Sequence, residues 1–187
     1  MIITINGAPG SGKSTVAKKL AKKLNWPRFY GGGIRRLKAK AMGLTLAELN
    51  QLGEKDAKTD YEVDSYLKQI AKKHPDSIIE SRTAWHLIPH SIKIYLDVEG
   101  RIGAMRVFKE LKGYNQRNED KQLTSVDKVL ASHKKRKSSD YRRYKKYYNF
   151  NLFDLKNYNF VLDTSNLNKK QVFDQVYKYI KNRLKPD

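Results

Sequence analysis

The chain has 187 residues, 39% of them hydrophobic and 31% charged, which is enough for one sizeable buried core and short for two domains. It contains no cysteine, which excludes disulfides and thiolate metal sites and fits a cytoplasmic protein. No run of about eighteen apolar residues occurs and the first residues already read as a strand, so neither a membrane span nor a signal peptide is expected. The formal net charge is +20 and uneven: residues 101–150 hold 15 basic and 5 acidic side chains, residues 151–187 only 7 and 4. Such an excess points to an anionic partner, a small polyphosphate or a nucleic acid, although scattered surface lysines also serve simply to solvate a face.

Met1 to Ile5 is an apolar run of strand character, and Gly7-Ala8-Pro9-Gly10-Ser11-Gly12-Lys13-Ser14 after it fits G-x-x-x-x-G-K-[ST]. Val16, Leu20 and Leu24 then recur at helical spacing with lysines between them. Strand, glycine loop and helix in that order make a phosphate cradle. Glycines let backbone N–H groups turn toward an anion, and the helix N-terminus adds partial positive charge. In such a loop Lys13 reaches the β- and γ-phosphates of a nucleoside triphosphate and Ser14 ligates Mg²⁺.

Trp26 to Tyr30 is a short apolar run that Pro27 keeps from being helical, a candidate second strand. It leads into Gly31-Gly32-Gly33-Ile34-Arg35-Arg36, where three glycines at a strand end permit close backbone approach to a ligand, with two arginines behind them. Thr45-Leu46-Ala47-Glu48 is a capping box that opens a short helix. Asp60 to Lys73 reads as another, with Val63, Tyr66, Leu67, Ile70 and Ala71 as its apolar positions. Residues 34–75 are therefore expected to form a helical insertion between two strands.

Asp76 to Arg82 supplies a short strand that ends in Glu80 and Arg82. Glu80 stands where the acidic strand-end residue of a P-loop protein faces Mg²⁺, through water or through Ser14. Ile92 to Asp97 and Asn159 to Asp163 are two further strands, separated by basic, mostly helical segments and a polar loop-like stretch from Gly113 to Asp120. Gln171 to Leu184 closes as a helix with Val172, Val176, Tyr179 and Ile180 inward. Five strands alternating with helices imply an α/β fold. The expectation is a single P-loop NTPase domain over residues 1–187, with a five-stranded parallel sheet and helices on both faces, in three layers.

Most of the positive charge is lysine, so arginines at element ends are the more selective placements: Arg35, Arg36, Arg82, Arg106, Arg136, Arg142 and Arg143. A guanidinium fork grips phosphate oxygens bidentately, and together these residues suggest two phosphate-bearing ligands. If residues 136–144 are helical, Arg136, Asp140 and Arg143 share one face, where the carboxylate can orient both guanidiniums. Tyr141, Tyr144, Tyr147, Tyr148 and Phe150 interleave with them; packing onto the sheet is expected over stacking on single-stranded bases. His86 and His90 are four apart, but Pro89 lies between them and spoils a helical metal face, so packing or surface positions are expected.

The segments GAPGSGKST, GGGIRR, IIESR, IKIYLDV, RKSSDYRRYKKYYN and NFVLDTS resemble nucleoside monophosphate kinases, and among them the compact cytidylate kinases of archaeal type. The resemblance covers nearly the whole chain. It implies ATP along Gly7, Gly10, Ser11, Gly12, Lys13, Ser14 and Thr15, flanked by Arg106, with Mg²⁺ at Ser14 and Glu80. It implies an acceptor phosphate held by Arg35 or Arg36 and by Arg82, near Gly33. Arg136 and Arg143, with Asp140 between them, match lid arginines that close over the transferring group. The acceptor-binding insertion would span about 34–75 and the lid about 107–145, both moving to exclude water. One departure concerns the base: bacterial-type cytidylate kinases carry an aspartate after the third-strand arginine to read cytosine, and this chain has Thr83.

The expected activity is transfer from Mg·ATP to CMP or dCMP by a monomer acting on small-molecule nucleotides. A kinase for AMP, UMP or a small phosphorylated acceptor would keep the same motifs. An RNA-binding P-loop ATPase is the reading of another class, carried by the basic block and its tyrosines; it is not favoured, because nonspecific binding needs only a lysine-rich surface. Intact Lys13 and Ser14 argue against a catalytically silent interaction protein.

Overall fold

A computed structural model of the chain describes residues 1–113 and 122–184. Of the expected polar stretch from Gly113 to Asp120, all but Gly113 lies outside the described residues. β1 (Ile2–Gly7) is buried along its four middle residues, as suits a central parallel strand covered on each face. Ile3 and Ile5 are fully buried, and Thr4 between them shares a 3.0 Å hydrogen bond with Ser91 Oγ.

The glycine loop leads from β1 into α1 (Lys13–Leu24) and β2 (Arg28–Tyr30), then into α2 (Gly31–Ala41), α3 (Leu46–Lys55) and α4 (Lys58–Lys73). β3 (Ser77–Glu80), α5 (Ala84–Leu87), β4 (Ile92–Asp97), α6 (Gly100–Leu111), α7 (Val126–Tyr148), β5 (Phe160–Asp163) and α8 (Lys169–Leu184) follow. All strands pair in parallel, in the order β2-β3-β1-β4-β5. Ile78 and Ile79, neighbours on β3, point to opposite faces. Ile78 enters a core with α1 and α8, and Ile79 enters one with α4, so helices cover the sheet on both sides as expected. β1 lies between β3 and β4, and the order places the glycine loop, Glu80 and Arg82 together at the carboxyl ends of the strands, where ligands of open parallel sheets bind.

The helical excursion begins before residue 34. Gly31, Gly32 and Gly33 form the first turn of α2, and a Cβ at Gly32 or Gly33 would lie 2.7 or 2.8 Å from the Tyr30 ring. Their bareness admits that ring against the helix start. On α3 the Thr45 capping box forms in full, its hydroxyl accepting from Glu48 N while the Glu48 carboxylate accepts from Thr45 N. On α4, Val63, Leu67 and Ile70 pack inward, but Tyr66 is 44% exposed; Asp60 and Asp64 take buried positions instead.

α7 packs against α6 and α3, and its buried residues include Asp140, Arg143 and Tyr144. The aromatic residues on and after it divide: Tyr141 is exposed, whereas Phe150 lies 5.0 Å from Trp85, which meets Tyr158, itself 4.9 Å from Tyr95 of β4. The ring cluster therefore reaches the sheet, and His86 packs on it at 4.6 Å from Phe150.

Candidate active site

The loop between β1 and α1 turns through Gly10 and Gly12, at φ +80° and +89°, conformations that side-chain-bearing residues rarely adopt. A Cβ on Gly10 would lie 2.3 Å from the Gly103 carbonyl oxygen of α6, whereas one on Gly12 would meet nothing within 4 Å. Gly10 thus lets α6 pack on the loop, and Gly12 keeps the cradle open at the start of α1. Gly7 lies against the backbone of Leu96 on β4. Lys13 donates from Nζ to Ala8 O at 2.7 Å, which folds its ammonium back over the loop, and Thr15 sits in the first turn of α1. Ser11 is buried, and its Oγ has no hydrogen-bond partner. An orphaned hydroxyl, an open glycine and a loop-facing ammonium fit a polyphosphate.

Ser14 Oγ donates to Glu80 Oε1 at 2.5 Å, and Arg28 Nη2 donates to Glu80 Oε2 at 2.5 Å, so the buried carboxylate is held between them. A hydroxyl beside a carboxylate suits Mg²⁺, a hard cation that takes only one or two protein oxygens and completes its shell with phosphate and water. Among the described residues no group of three or more His, Cys, Asp or Glu is placed to hold a metal, so any Mg²⁺ here would depend on phosphate oxygens for the rest of its shell.

Beyond the loop, guanidiniums from three elements converge on two buried aspartates. Asp60 accepts from Arg35 Nη1 at 2.7 Å through one oxygen and pairs with Arg143 Nε at 3.1 Å through the other. Asp140 accepts from Arg143 Nη2 at 2.8 Å and pairs with Arg82, just past β3, through its second oxygen. Asn50 of α3 joins them, its side chain accepting from Arg35 Nε at 2.9 Å and its carbonyl from Arg143 Nη1 at 3.3 Å. The Arg82 side chain keeps 23% exposure, which leaves it open to an incoming anion. Burial alone would lower the pKa of Arg143, but the adjoining Tyr144, Asp140 and Asp60 hold it raised, so the guanidinium stays charged. Burial pushes Tyr144 beside it up to about 12, and its ring remains neutral.

Arg35, rather than Arg36, therefore shares a network with Arg82 and Arg143; Arg36 donates to Tyr30 OH at 2.8 Å and Gly32 O at 3.2 Å. Arg136 lies one turn before Asp140 on α7 and is half-buried. Arg106 reaches Gly10 O at 3.4 Å and donates to Thr164 O at 2.9 Å and Ser165 O at 3.1 Å, sewing the phosphate loop to the turn after β5. Asn6 steadies Arg82 from below, donating to its carbonyl at 3.4 Å and to Tyr158 OH at 2.6 Å. Sequence reasoning missed Arg28, Asn50, Asp60 and Asp64 as site residues. Two aspartates four apart inside the Val63/Leu67 stripe were the available signal, since a carboxylate on an apolar helix face requires a buried partner.

The model of the cytidylate kinase-like family matches residues 2–166. The chain belongs to that family. It is 33% identical to the cytidylate kinase of Methanocella arvoryzae, over 96% of this chain and 97% of that one. With the cytidylate kinase of Methanocaldococcus jannaschii the identity is 36%, over 97% and 98%. Solved structures of similar fold include shikimate kinase from Bacteroides thetaiotaomicron, with a TM-score of 0.63 and 16% identity over 97% of each chain. An uncharacterized protein from Eubacterium ventriosum reaches 0.68 at 20% identity, over 97% and 98%. These two establish the shared fold alone. Membership of the cytidylate kinase-like family makes the chain an enzyme of phosphoryl transfer, a nucleoside monophosphate kinase built on the P-loop fold. None of its described helices is long and apolar enough to cross a membrane.

Proposed function

We propose that this kinase transfers the γ-phosphoryl group of Mg·ATP to the 5′-phosphate of CMP or dCMP. The observation that carries the proposal is the convergence of Arg35, Arg82 and Arg143 beside a complete phosphate loop, which supplies cations for two anionic substrates. Support for cytidylate over other acceptors comes from the relatives named cytidylate kinase.

A phosphate oxygen of the acceptor, already anionic near neutral pH, attacks the γ-phosphorus. The bond from that phosphorus to the β,γ-bridging oxygen breaks, and ADP leaves with the electron pair. No protein base is required; the protein has to bring two anions together and align them. Gly7, Gly10, Ser11, Gly12 and Thr15 line the donor, Lys13 draws its β- and γ-phosphates into the loop, and Arg106 fixes the loop's outer wall. Ser14 and Glu80 would hold Mg²⁺, which when bound would neutralise charge on those phosphate oxygens. Arg82 and Arg35 receive the acceptor phosphate, with Gly33 and Arg36 at the rim of that site. Arg136, Arg143 and Asp140 of α7 form the lid face over the transferring group. The segments near 34–75 and 107–145 close to exclude water that would otherwise hydrolyse ATP. The enzyme acts as a cytoplasmic monomer in this reading.

The test is ADP release from Mg·ATP with CMP, dCMP, UMP, AMP or no acceptor, repeated with added RNA. Turnover on CMP or dCMP is expected, and Lys13→Ala and Arg82→Ala should each lower it by on the order of 10²-fold or more. Near wild-type turnover in either variant would overturn the site assignment. RNA-stimulated ATP hydrolysis without an acceptor would overturn the kinase reading.

A further inference from the structure

The buried face of α4 carries a second aspartate that phosphoryl transfer does not use. Asp64 lies one turn beyond Asp60, about 6 Å along the helix axis, and is 6% exposed. Thr83, the residue after Arg82, donates its hydroxyl to Asp64 Oδ1 at 2.6 Å. Tyr148, at the far end of α7, donates its hydroxyl to Oδ2. Among the described residues no lysine or arginine forms an ion pair with Asp64. Its hydrogen-bond partners are both hydroxyls, with Asp60 and Arg35 acting on it only at longer range; Tyr148 in turn meets Tyr61 edge-on at 5.5 Å and Tyr144 at 5.8 Å.

One helix face therefore offers a guanidinium network at Asp60 and, one turn on, a carboxylate bonded only to neutral groups. A nucleoside monophosphate has the same polarity: an anionic phosphate, a sugar, then a planar uncharged base. Burying a carboxylate with no ion-pair partner is costly, and a packing role alone would be met better by an apolar side chain.

We propose that Asp64 determines the base specificity of the acceptor site by accepting a hydrogen bond from the exocyclic amino group of cytosine. This rests on the kinase reading above. Each carboxylate oxygen has a second lone pair, so Thr83 and Tyr148 leave acceptor positions available. Thr83 Oγ1, also within 3.2 Å of Ser81 Oγ, ties the carboxylate to the residue that follows Arg82, the arginine assigned above to the acceptor phosphate. Cytosine presents an N–H donor at its 4-position, where uracil presents a carbonyl oxygen that a carboxylate repels. Tyr148, which bonds the other carboxylate oxygen, is only half-buried.

The experiment is the ratio of kcat/KM for CMP to that for UMP, measured on single preparations of wild type and Asp64→Asn. An amide can donate to the uracil carbonyl, so the ratio should fall at least about tenfold in the variant. Loss of folded enzyme lowers both values by one factor and leaves the ratio unmoved, which separates a structural role from a specificity role. Should Asp64→Asn not fold, Asp64→Ser also removes the carboxylate while keeping a hydroxyl for Thr83, and should move the ratio the same way. An unchanged ratio in an active variant overturns the proposal while leaving the kinase function standing. A wild type inactive on every pyrimidine monophosphate overturns that function and this inference with it.

Discussion

Gly10 of the phosphate loop and Gly103 of α6 meet backbone to backbone: a Cβ on Gly10 would stand 2.3 Å from the Gly103 carbonyl oxygen, and one on Gly103 would stand 2.6 Å from the Pro9 carbonyl oxygen. This contact lets α6 bring Arg106 to the loop. Neither backbone can yield cheaply, so Gly10→Ala combines a left-handed strain of roughly 1–2 kcal/mol with an overpacking cost of roughly 1–3 kcal/mol. Gly12→Ala meets no neighbour and carries the strain alone. Urea denaturation should rank Gly10→Ala as clearly the less stable; equal midpoints would show that α6 gives way.

The Asp60 carboxylate holds two guanidiniums that have little access to water, Arg35 and Arg143. Asp60→Ala leaves both without this counter-ion and is expected to cost about 3–5 kcal/mol, whereas Asp60→Asn, which retains an acceptor, should cost less. By contrast Arg142→Ala, which removes an exposed pair with Glu54, should leave the unfolding midpoint nearly unchanged. Thermal unfolding of the three variants checks the order, and a stable Asp60→Ala protein would contradict it.

Gly53 sits inside α3, where alanine would ordinarily gain about 1 kcal/mol in helix propensity. A Cβ there would lie 2.8 Å from Thr59 Oγ1, 3.0 Å from Arg35 Nη2 and 3.2 Å from Arg143 Cδ. Thr59 Oγ1 is engaged with Asp56 O, and Arg35 with Asp60 and Asn50, so none of these groups is free to swing away. Gly53→Ala should therefore be destabilising by about 1–2 kcal/mol net, with a raised KM for the acceptor as Arg35 shifts. A more stable variant with unaltered KM would count against the tight approach.

Burial pushes the Asp64 carboxyl above its ordinary 3.8, a rise reinforced by Asp60 and opposed by the hydrogen bonds from Thr83 and Tyr148 and by Arg35. The folded protein then holds this proton more tightly than the unfolded chain does. Asp64 contributes most to stability below pH 3.8, and its contribution is lost as pH rises through the raised folded value. Asp64→Asn should accordingly gain stability relative to wild type across that interval and level off above it. Denaturation midpoints of both proteins at a series of pH values test this, and a flat or falling difference would refute the raised pKa.

Local patterns in the sequence determined a good deal. The glycine loop between an apolar strand and an amphipathic helix, the capping box at Thr45 and the five strands alternating with helices each rest on residues a few positions apart, and each appears in the structure. The pairing of Ser14 with Glu80, 66 residues away, could be anticipated because a phosphate loop carries its own requirement for a strand-end carboxylate. Only the tertiary structure decided that Gly32 and Gly33 make room for the Tyr30 ring and that Arg35, not Arg36, meets Arg82's network. It also decided that Asp60 and Asp64 face inward. Their partners lie as far off as Tyr148, 84 residues along the chain, and Asn50 and Arg143 are 93 apart. A helix pattern says which residues share a face. What that face meets depends on how α7 is laid against α3 and α4, and only there do buried charges find the partners that make their burial tolerable.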